Sequence, residues 1–284
     1  MTDLGGTITL GGELTVHRMA YGAMRLTGHG VIGPPKDPDE ARRVLRRVLD
    51  LGIDFIDTAD SYGPYVNEEF IAATLHPYPP NLVIATKSGL ERPGPFQWKT
   101  NGRPAHLREG CEGSLTRLRV DRIDLFQLHR LDPDVPEDDQ FGLLADLQRE
   151  GKIRLIGLSE VPVAAIERAR RTLPIVSVQN RYNVTDRTSD PVVDYCEREG
   201  LAFLPWHPLG GPALMQDDGT MARIGAKHGA TPLQIGLAWL LARSPVMLTI
   251  PGTSQVAHLE ENVAAAAIRL DAQDVRDLAR ITPV

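Results

Sequence analysis

Three predicted strands end in ionisable side chains, and a tyrosine follows the first of them. These strands end at Asp57, Lys87 and His129, and Tyr62 lies in a loop five residues after Asp57. A lone strand-end carboxylate or lysine has a plain structural explanation, as a cap or as a chain that reaches toward solvent. Each of these groups follows an apolar run that would partly desolvate it, and perturbed groups cluster at functional sites. The set therefore predicts a site.

These four groups suit the protonation of a carbonyl oxygen as it gains negative charge. A phenol ordinarily has a pKa of about 10, and a neighbouring Lys87 ammonium would lower the pKa of Tyr62. Asp57 would keep that ammonium charged, and His129 could orient a substrate oxygen or relay a proton. Carbonyl reduction also needs a hydride donor, which side chains do not provide, so a nicotinamide cofactor is implied.

Other chemistries fit the pattern poorly. No serine or cysteine is placed beside a base, which argues against covalent hydrolysis. His129 has no second histidine at ligand spacing, so no metal site is expected. Cys111 and Cys196 lie in polar helical patterns and are expected to be reduced thiols.

Short apolar strands alternate with amphipathic helices along the chain. Glycines follow three of the helices directly before the next strand, at Gly52, Gly151 and Gly200, where a left-handed residue ends a helix at little cost. The predicted strands are Met19–Met24, Asp54–Thr58, Leu82–Lys87, Ile123–His129, Arg154–Ser159, Val176–Gln179, Ala202–Trp206 and Met247–Pro251. The predicted helices are Pro38–Leu51, Leu107–Leu118, Asp139–Glu150, Val163–Arg171, Pro191–Glu199, Pro232–Ala242 and Ala272–Ile281.

Eight strands alternating with helices predict an α/β fold, a (β/α)₈ TIM barrel. It would follow an N-terminal β-hairpin of Thr7–Leu10 and Glu13–Val16. A doubly wound open sheet is the competing architecture, but no G-x-G-x-x-G follows the first strand. In a TIM barrel the reaction takes place at the C-terminal ends of the strands. Two loops, Thr27–Asp37 and Gly89–Ala105, are longer than most connections between strands and helices. Their length indicates a functional role rather than a simple connection.

Composition narrows the class of protein further. The chain has 284 residues, of which 42% are hydrophobic and 24% charged, with a net charge of −6. We expect a single domain over residues 1–284, a cytoplasmic location, and neither nucleic acid nor a membrane as partner, because no long basic run, signal peptide or membrane-length apolar segment is present. The sequence carries no information on the oligomeric state.

Several motifs, in order along nearly the whole chain, resemble the aldo-keto reductase superfamily. They are Ile56-Asp57-Thr58-Ala59 with Tyr62-Gly63, Ala85-Thr86-Lys87, Leu128-His129, Gln179-Asn180-x-Tyr182-Asn183, and Ile250-Pro251-Gly252-Thr253-Ser254 with Glu261-Asn262. The resemblance implies a barrel that binds extended NADP(H) without a Rossmann fold. It also implies that Tyr62 is the general acid and base, that Lys87 and Asp57 tune it, and that His129 positions the carbonyl.

The same resemblance implies a set of cofactor-binding residues. Ser159 and Gln179 match positions that hold the nicotinamide carboxamide, and Glu160 stands where the family commonly has asparagine. Trp206 matches an aromatic ring that stacks on the nicotinamide, although a core tryptophan is the alternative. The remaining positions, near the pyrophosphate and the adenosine, are Pro208, Leu209, Gly210, Gly252, Thr253, Ser254, Gln255, His258, Glu261 and Asn262. No lysine or arginine occurs among them to read a 2′-phosphate, so NAD(H) stays open beside NADP(H).

The substrate is predicted to be a small-molecule carbonyl compound that meets an aromatic and apolar rim with a few basic groups. The candidate contacts are Met24 and Arg25 within Met24–His29, Tyr65, Trp98 within Phe96–Trp98, Arg130 and Trp206. Tyr21–Leu26, the glycines before Pro34-Pro35, and Gly157–Glu160 are most similar to bacterial members that include pyridoxal reductases. Pyridoxal is therefore the leading specific substrate. The alternatives are a broad aldehyde, ketone or quinone reductase and, from another class, a non-catalytic NADP(H)-binding regulatory subunit like the potassium-channel β-subunits.

Overall fold

The computed structural model describes residues 3–211 and 219–281. Seven parallel strands form a curved sheet in the order β3-β4-β5-β8-β9-β10-β11. Their ranges are β3 Tyr21–Gly22, β4 Phe55–Asp57, β5 Val83–Ser88, β8 Ile123–Leu128, β9 Ile153–Ser159, β10 Ile175–Gln179 and β11 Ala202–Phe203. Each agrees in position with a predicted strand, because apolar side chains on both faces mark a strand that helices cover.

The segment Met247–Pro251, predicted as the eighth strand, closes the sheet into a barrel. Its backbone pairs on one side with Phe203, whose carbonyl accepts from Leu248 N at 2.9 Å, and on the other with Ala20, whose N–H donates to Thr249 O at 2.8 Å. Isolated bridges, not a continuous ladder, make this seam. The seam confirms the predicted (β/α)₈ barrel.

Helices surround the sheet, and most begin and end within a few residues of their predicted limits. Their ranges are α1 Pro38–Asp50, α2 Val66–Leu75, α3 Pro104–Leu118, α4 Glu137–Arg149, α5 Val163–Ala169, α6 Asp190–Glu199, α7 Thr220–His228, α8 Pro232–Arg243, α9 Val256–Ala264 and α10 Ala272–Ala279. Gly52, Gly151 and Gly200 all have positive φ, as expected of residues just past a helix end. Helices α2, α7 and α9 are not among the predicted helices. The buried face of α2 includes Asn67 and Glu68, which break the apolar period.

The two ends of the barrel differ in character. A hairpin of β1 Thr7–Leu10 and β2 Leu14–His17 confirms the prediction at the N-terminus. Leu10 and Val16 belong to the same apolar cluster as Phe55, Val83 and Leu125, from the sheet. Apolar side chains therefore fill this end, and the polar strand ends gather at the other.

A second hairpin lies within the predicted loop Gly89–Ala105. It consists of β6 Leu90–Gly94 and β7 Gln97–Thr100, paired antiparallel. Sequence patterns did not predict these strands, because their charged, proline and glycine residues are unfavourable in strands. The two strands pair only with each other, outside the barrel sheet.

Three other predictions concern the whole molecule. Over the described ranges, no helix combines the length and apolarity that a membrane span requires. The same ranges hold no cluster of three or more histidine, cysteine or acidic groups arranged for a metal ion. Cys111 and Cys196 are buried, unpaired thiols.

Candidate active site

The predicted groups Asp57, Lys87 and Tyr62 meet in one buried pocket. Strands β4 and β5 are hydrogen-bonded neighbours, so the side chains at their ends lie side by side. Lys87 Nζ donates to Asp57 Oδ2 at 2.7 Å, to the Thr58 carbonyl at 2.7 Å and to the Tyr62 hydroxyl at 3.5 Å. The lysine ammonium therefore bridges the carboxylate and the phenol, as the spacing predicted.

Asp57 receives further donors that hold it in one orientation. Gln127 Nε2 and Gln179 Nε2 donate to Asp57 Oδ1 at 3.1 and 2.9 Å. Sequence reasoning missed Gln127, although it lies two residues before His129 on β8 and residues i and i+2 of a strand share a face. With Lys87 on Oδ2, both oxygens of this carboxylate accept hydrogen bonds from protein donors.

The net effect on Tyr62 differs from the sequence prediction. Burial raises the pKa of Tyr62 above its usual value, and the Lys87 ammonium offsets this only in part. Burial also opposes the charged form of Lys87, but the Asp57 carboxylate and the phenol outweigh it and raise the pKa of Lys87. Lysine does favour the phenolate, as expected, yet desolvation is the larger effect. At neutral pH the pocket therefore holds a protonated phenol beside an ammonium group.

His129 faces the same pocket from the end of β8. Its ring lies 5.9 Å from that of Tyr62, centroid to centroid, and its Nδ1 lies 3.3 Å from the Ser61 hydroxyl. Burial and the positive charges of Lys87, Arg130 and Arg92 lower the pKa of His129 well below its usual value. The ring is therefore neutral and available for a hydrogen bond with a neutral or negatively charged oxygen.

The β6–β7 hairpin forms a wall of the pocket. The ring of Trp98 lies 6.3 Å from those of both Tyr62 and His129, edge to face. Arg92 lies 3.5 Å over the Trp98 ring and donates to the carbonyls of Gly30, Val31, Ser61 and Gln97. This arginine, which sequence reasoning missed, ties the hairpin to two loops and so fixes the position of Trp98.

The candidate nicotinamide residues gather beside this pocket. Ser159 ends β9 and accepts from Arg130 Nη1 at 3.0 Å. Gln179 ends β10 and donates through Nε2 to Asp57, whereas its side-chain oxygen Oε1 has no donor among the described residues. Glu160, at φ 56°, accepts from Trp206 Nε1 at 2.5 Å and from Arg181 N at 2.6 Å. Glu160 thus holds the Trp206 ring by its indole edge, and the guanidinium groups of Arg130 and Arg181 lie 6.0 and 5.8 Å from the ring centroid.

The other candidate cofactor positions form two segments. Pro208, Leu209 and Gly210 follow Trp206, and Gly210 N donates to His207 O at 3.0 Å. The segment Gly252–Gln255 leads into α9, where Gln255 N donates to Thr253 Oγ1 and Val256 N donates to Glu40 Oε1 at 2.9 Å. Ser254, Gln255 and His258 are exposed, whereas Asn262 is buried. Glu261 accepts from Thr231 Oγ1 at 2.7 Å, which is a contact between helices.

Not all candidate substrate residues come together. Trp98 and Arg130 flank His129, which places them at the pocket. Tyr65 lies instead under the guanidinium of Arg117 from α3, 4.4 Å from its ring centroid, in the helix layer. Met24 and Arg25 are exposed in a short 3₁₀ turn after β3.

Comparison with known proteins gives one consistent family. The model of the aldo/keto reductase family matches residues 18–283. An uncharacterized oxidoreductase of Schizosaccharomyces pombe is 48% identical over 94% of this chain and 87% of its own length. Pyridoxine 4-dehydrogenase of Escherichia coli is 42% identical, over 93% of this chain and 94% of its own. The glycerol dehydrogenase of Gluconobacter oxydans superimposes with a TM-score of 0.86 at 26% identity, covering 96% of this chain and 94% of that one. The chain therefore belongs to the aldo/keto reductase family.

Proposed function

We propose that this protein reduces an aldehyde or ketone to the corresponding alcohol, with Tyr62 as the proton donor. The observation that carries the proposal is the buried contact between the Tyr62 hydroxyl, the Lys87 ammonium and, through it, Asp57. A phenol next to a fixed positive charge can release its proton to a carbonyl oxygen that is becoming an alkoxide. A positioned acid of this kind typically contributes about 10²–10⁴-fold to a rate.

Lys87 stabilises the phenolate that remains once the proton has been given up. The ammonium is already held by Asp57 Oδ2 and the Thr58 carbonyl, so no reorganisation is needed when charge develops on Tyr62. Preorganised charges of this kind are a major source of catalysis in buried sites. Solvent then restores the proton to Tyr62 between turnovers.

His129 is proposed to position the substrate carbonyl. Its lowered pKa keeps the ring neutral, so it contributes a hydrogen bond without adding a fourth positive charge to Lys87, Arg92 and Arg130. Because the Tyr62 and His129 rings meet nearly edge to face, at 80°, a carbonyl oxygen can lie between the two groups. Geometry of this kind reduces the freedom that the reacting atoms must lose.

The cofactor is proposed to be NADP(H). When bound, the reduced nicotinamide supplies the hydride, which side chains cannot provide. Gln179 and Ser159 would hold its carboxamide, and the indole ring of Trp206 would stack against the nicotinamide ring. The side-chain oxygen of Gln179 can accept from the NH₂ of the nicotinamide carboxamide, because Gln179 donates to Asp57 through its nitrogen.

NAD(H) remains the alternative, and one contact favours it. The first amide of α9, Val256 N, already binds the Glu40 carboxylate, where a 2′-phosphate would otherwise find a helix N-terminus. Glu40 in turn pairs with Arg43 at 2.7 Å. Initial rates with NADPH and NADH, measured with the same aldehyde, decide between the two cofactors.

Pyridoxal is the specific substrate we propose, supported by the similarity to pyridoxine 4-dehydrogenase of Escherichia coli. A broad aldehyde, ketone or quinone reductase is the second candidate. Turnover of simple aromatic aldehydes without pyridoxal would favour it. We also propose that the chain acts as a single domain in the cytoplasm. The regulatory-subunit alternative would be supported by tight NADPH binding without turnover of any carbonyl compound.

The decisive experiment is Tyr62→Phe. We expect reduction to fall by about 10²-fold or more, while the affinity for NADPH, measured by fluorescence titration, stays within about twofold. Tyr195→Phe is the matched control, because it removes a hydroxyl that Arg170 binds on the outer helix layer. Turnover retained in Tyr62→Phe would show that the proton comes from another group.

A further inference from the structure

Two arginines, Arg92 and Arg130, flank His129, and their hydrogen bonds differ. Arg92 uses Nε, Nη1 and Nη2 on backbone carbonyls of the surrounding loops. Arg130 uses only Nη1, which donates to its neighbour's carbonyl, His129 O, at 2.6 Å and to Ser159 Oγ at 3.0 Å. Within residues 3–211 and 219–281, no group accepts from Arg130 Nε or Nη2. Arg92 therefore holds loops together, whereas Arg130 Nε and Nη2 have no acceptor in these ranges.

Arg130 also has no carboxylate partner in the described part of the chain. Glu160 is the acidic group that acts on its charge, but the Glu160 carboxylate is bound to Trp206 Nε1 and Arg181 N. Asp57, the other acid of the pocket, is occupied by Lys87 and two glutamines. Burial lowers the pKa of Arg130, which means that its surroundings disfavour its charge. A partly buried guanidinium with unused donors binds an anionic oxygen more strongly than a fully exposed one, because water screens the attraction less.

The position of Arg130 restricts which ligands can bind its unused donors. It directly follows His129 at the end of β8, and its guanidinium lies 6.0 Å from the centroid of the Trp206 ring. The same pocket is bounded by the Trp98 ring, which lies 6.3 Å from those of His129 and Tyr62. A ligand that reaches both Tyr62 and His129 therefore lies beside the Trp98 ring, and an aromatic wall favours a flat ring.

We propose that Arg130 recognises an acidic group on the carbonyl substrate, so that the preferred substrates are aromatic or heteroaromatic carbonyl compounds that carry a carboxylate, a phosphate or an ionised ring hydroxyl. This inference rests on the proposed carbonyl reduction and deepens it. The planar guanidinium binds such oxygens through two parallel N–H groups, and its Nε and Nη2 form the required fork. Arg130 acts on specificity, because the proton still comes from Tyr62.

The test uses two nearly isosteric aldehydes, 3-carboxybenzaldehyde and 3-formylbenzamide, and repeats the comparison with the 4-substituted pair. The wild-type protein with NADPH should reduce the carboxylate with a kcat/KM about tenfold or more above that of the amide, for at least one of the two positions. Arg130→Met should bring this ratio close to one, because the rate on the carboxylate should fall about tenfold more than the rate on the amide. Arg130→Lys should retain part of the preference, because it keeps the charge and loses the fork.

Arg122→Met is the matched control. Arg122 precedes β8 and so lies at the opposite end of the same strand, exposed to solvent. The substitution Arg122→Met removes the same charge from the protein. If this variant also loses the preference for the carboxylate aldehyde, the effect belongs to net charge and the proposal is overturned. A general rise in the KM for NADPH in Arg130→Met, equal for both aldehydes, would assign Arg130 to the cofactor and would also overturn it.

A binding measurement separates this proposal from the proposed reaction. Benzoate and benzamide are titrated into the NADPH-loaded protein, and tryptophan fluorescence is recorded. Benzoate binding that Arg130→Met abolishes supports the anion site even if no aldehyde is reduced, an outcome that would contradict the reaction alone. Equal reduction of both aldehydes, together with equal binding of both ligands, overturns the anion site and leaves the reaction intact.

Discussion

The two faces of β5 hold two buried polar clusters of different character. Lys87 points into the barrel and pairs with Asp57, whereas its neighbours Thr86 and Ser88 point outward, because successive strand residues face opposite sides. The outer cluster, between β5, α2 and α3, contains Asp60 and Glu68. Asp60 lies only three positions after Asp57 along the chain, so the two clusters compare carboxylates of nearly identical sequence context.

The two aspartates differ in their partners. Asp57 has a lysine ammonium and two amide donors. Asp60 is only 2% exposed, and its Oδ1 has no hydrogen-bond partner among the residues that the structure describes. Burial and the nearby Glu68 carboxylate raise the pKa of Asp60 to about 7. The Arg117 cation offsets this rise only in part, because it is paired with Glu68 at 2.7 Å.

This comparison shows that burial alone does not decide whether a carboxyl group is charged. The inner cluster places a cation in direct contact with its acid and so maintains a fixed ion pair for catalysis. The outer cluster places its cation on Glu68 and leaves Asp60 largely protonated below neutral pH. Three variants test this contrast.

The largest effect is expected from breaking the inner pair with Lys87→Met. Removing one partner leaves the Asp57 charge buried, which typically costs about 3–5 kcal/mol of stability. Reduction should be lost as well, and any residual activity should require a higher pH, because the phenol loses its stabilising cation. Urea unfolding and pH–rate profiles measure both effects. The double variant Asp57→Asn with Lys87→Met should recover part of the stability, and an equal or larger loss in the double variant would contradict the ion-pair argument.

The second effect concerns pH and the outer cluster. The pKa of Asp60 rises from 3.8 to about 7 on folding, so the folded state holds a proton that the unfolded state has lost. This carboxyl therefore lowers stability as the pH rises from about 4 to 7, by up to about 1.4 kcal/mol per pH unit, and adds no further change above that range. The groups that face it are Glu68 of α2, Arg117 of α3 and Ser88 of β5.

Asp60→Asn should flatten this part of the stability profile, measured by urea unfolding at several pH values. The exposed Asp121→Asn is the control and should leave the profile unchanged. A wild-type profile that is already flat between pH 4 and 7 would show that Asp60 is ionised in the fold.

The smallest effect on stability is expected from Gly110→Ala in α3, which adds a methyl group next to the outer cluster. An added Cβ would lie 2.1 Å from Ser88 Oγ and 2.8 Å from Asp60 Oδ2, closer than contact allows. We expect a loss of about 1–3 kcal/mol in the free energy of unfolding from this overpacking. Gly142→Ala in α4 is the matched control, because no atom of residues 3–211 or 219–281 lies within 4 Å of its added Cβ, beyond its own helix backbone and chain neighbours. That variant should gain up to about 1 kcal/mol from helix propensity, and equal effects of the two substitutions would refute the close packing.

The barrel was predictable because its signals are local. Apolar strands such as Val83–Ser88 and the glycine stops at Gly52, Gly151 and Gly200 depend on neighbouring residues and on backbone conformation. The meeting of Asp57 with Lys87 was also predictable, since the ends of adjacent parallel strands share one edge of the sheet. Helix α2 and the β6–β7 hairpin were not, because their polar residues are explained only by distant partners such as Arg117 and Trp98.

The sequence by itself determined which groups reach the mouth of the barrel, Tyr62, Asp57, Lys87 and His129, because strand periodicity and loop length set their order. Only the tertiary structure decided their charges and pairings. The pKa of Tyr62 is raised, contrary to the sequence prediction, since desolvation exceeds the effect of Lys87. Arg92 donates to backbone carbonyls through Nε and both Nη groups, whereas Arg130 Nε and Nη2 find no acceptor in the described ranges. Burial and Coulomb interactions depend on distances between strands and loops far apart in the chain, and no local pattern encodes those distances.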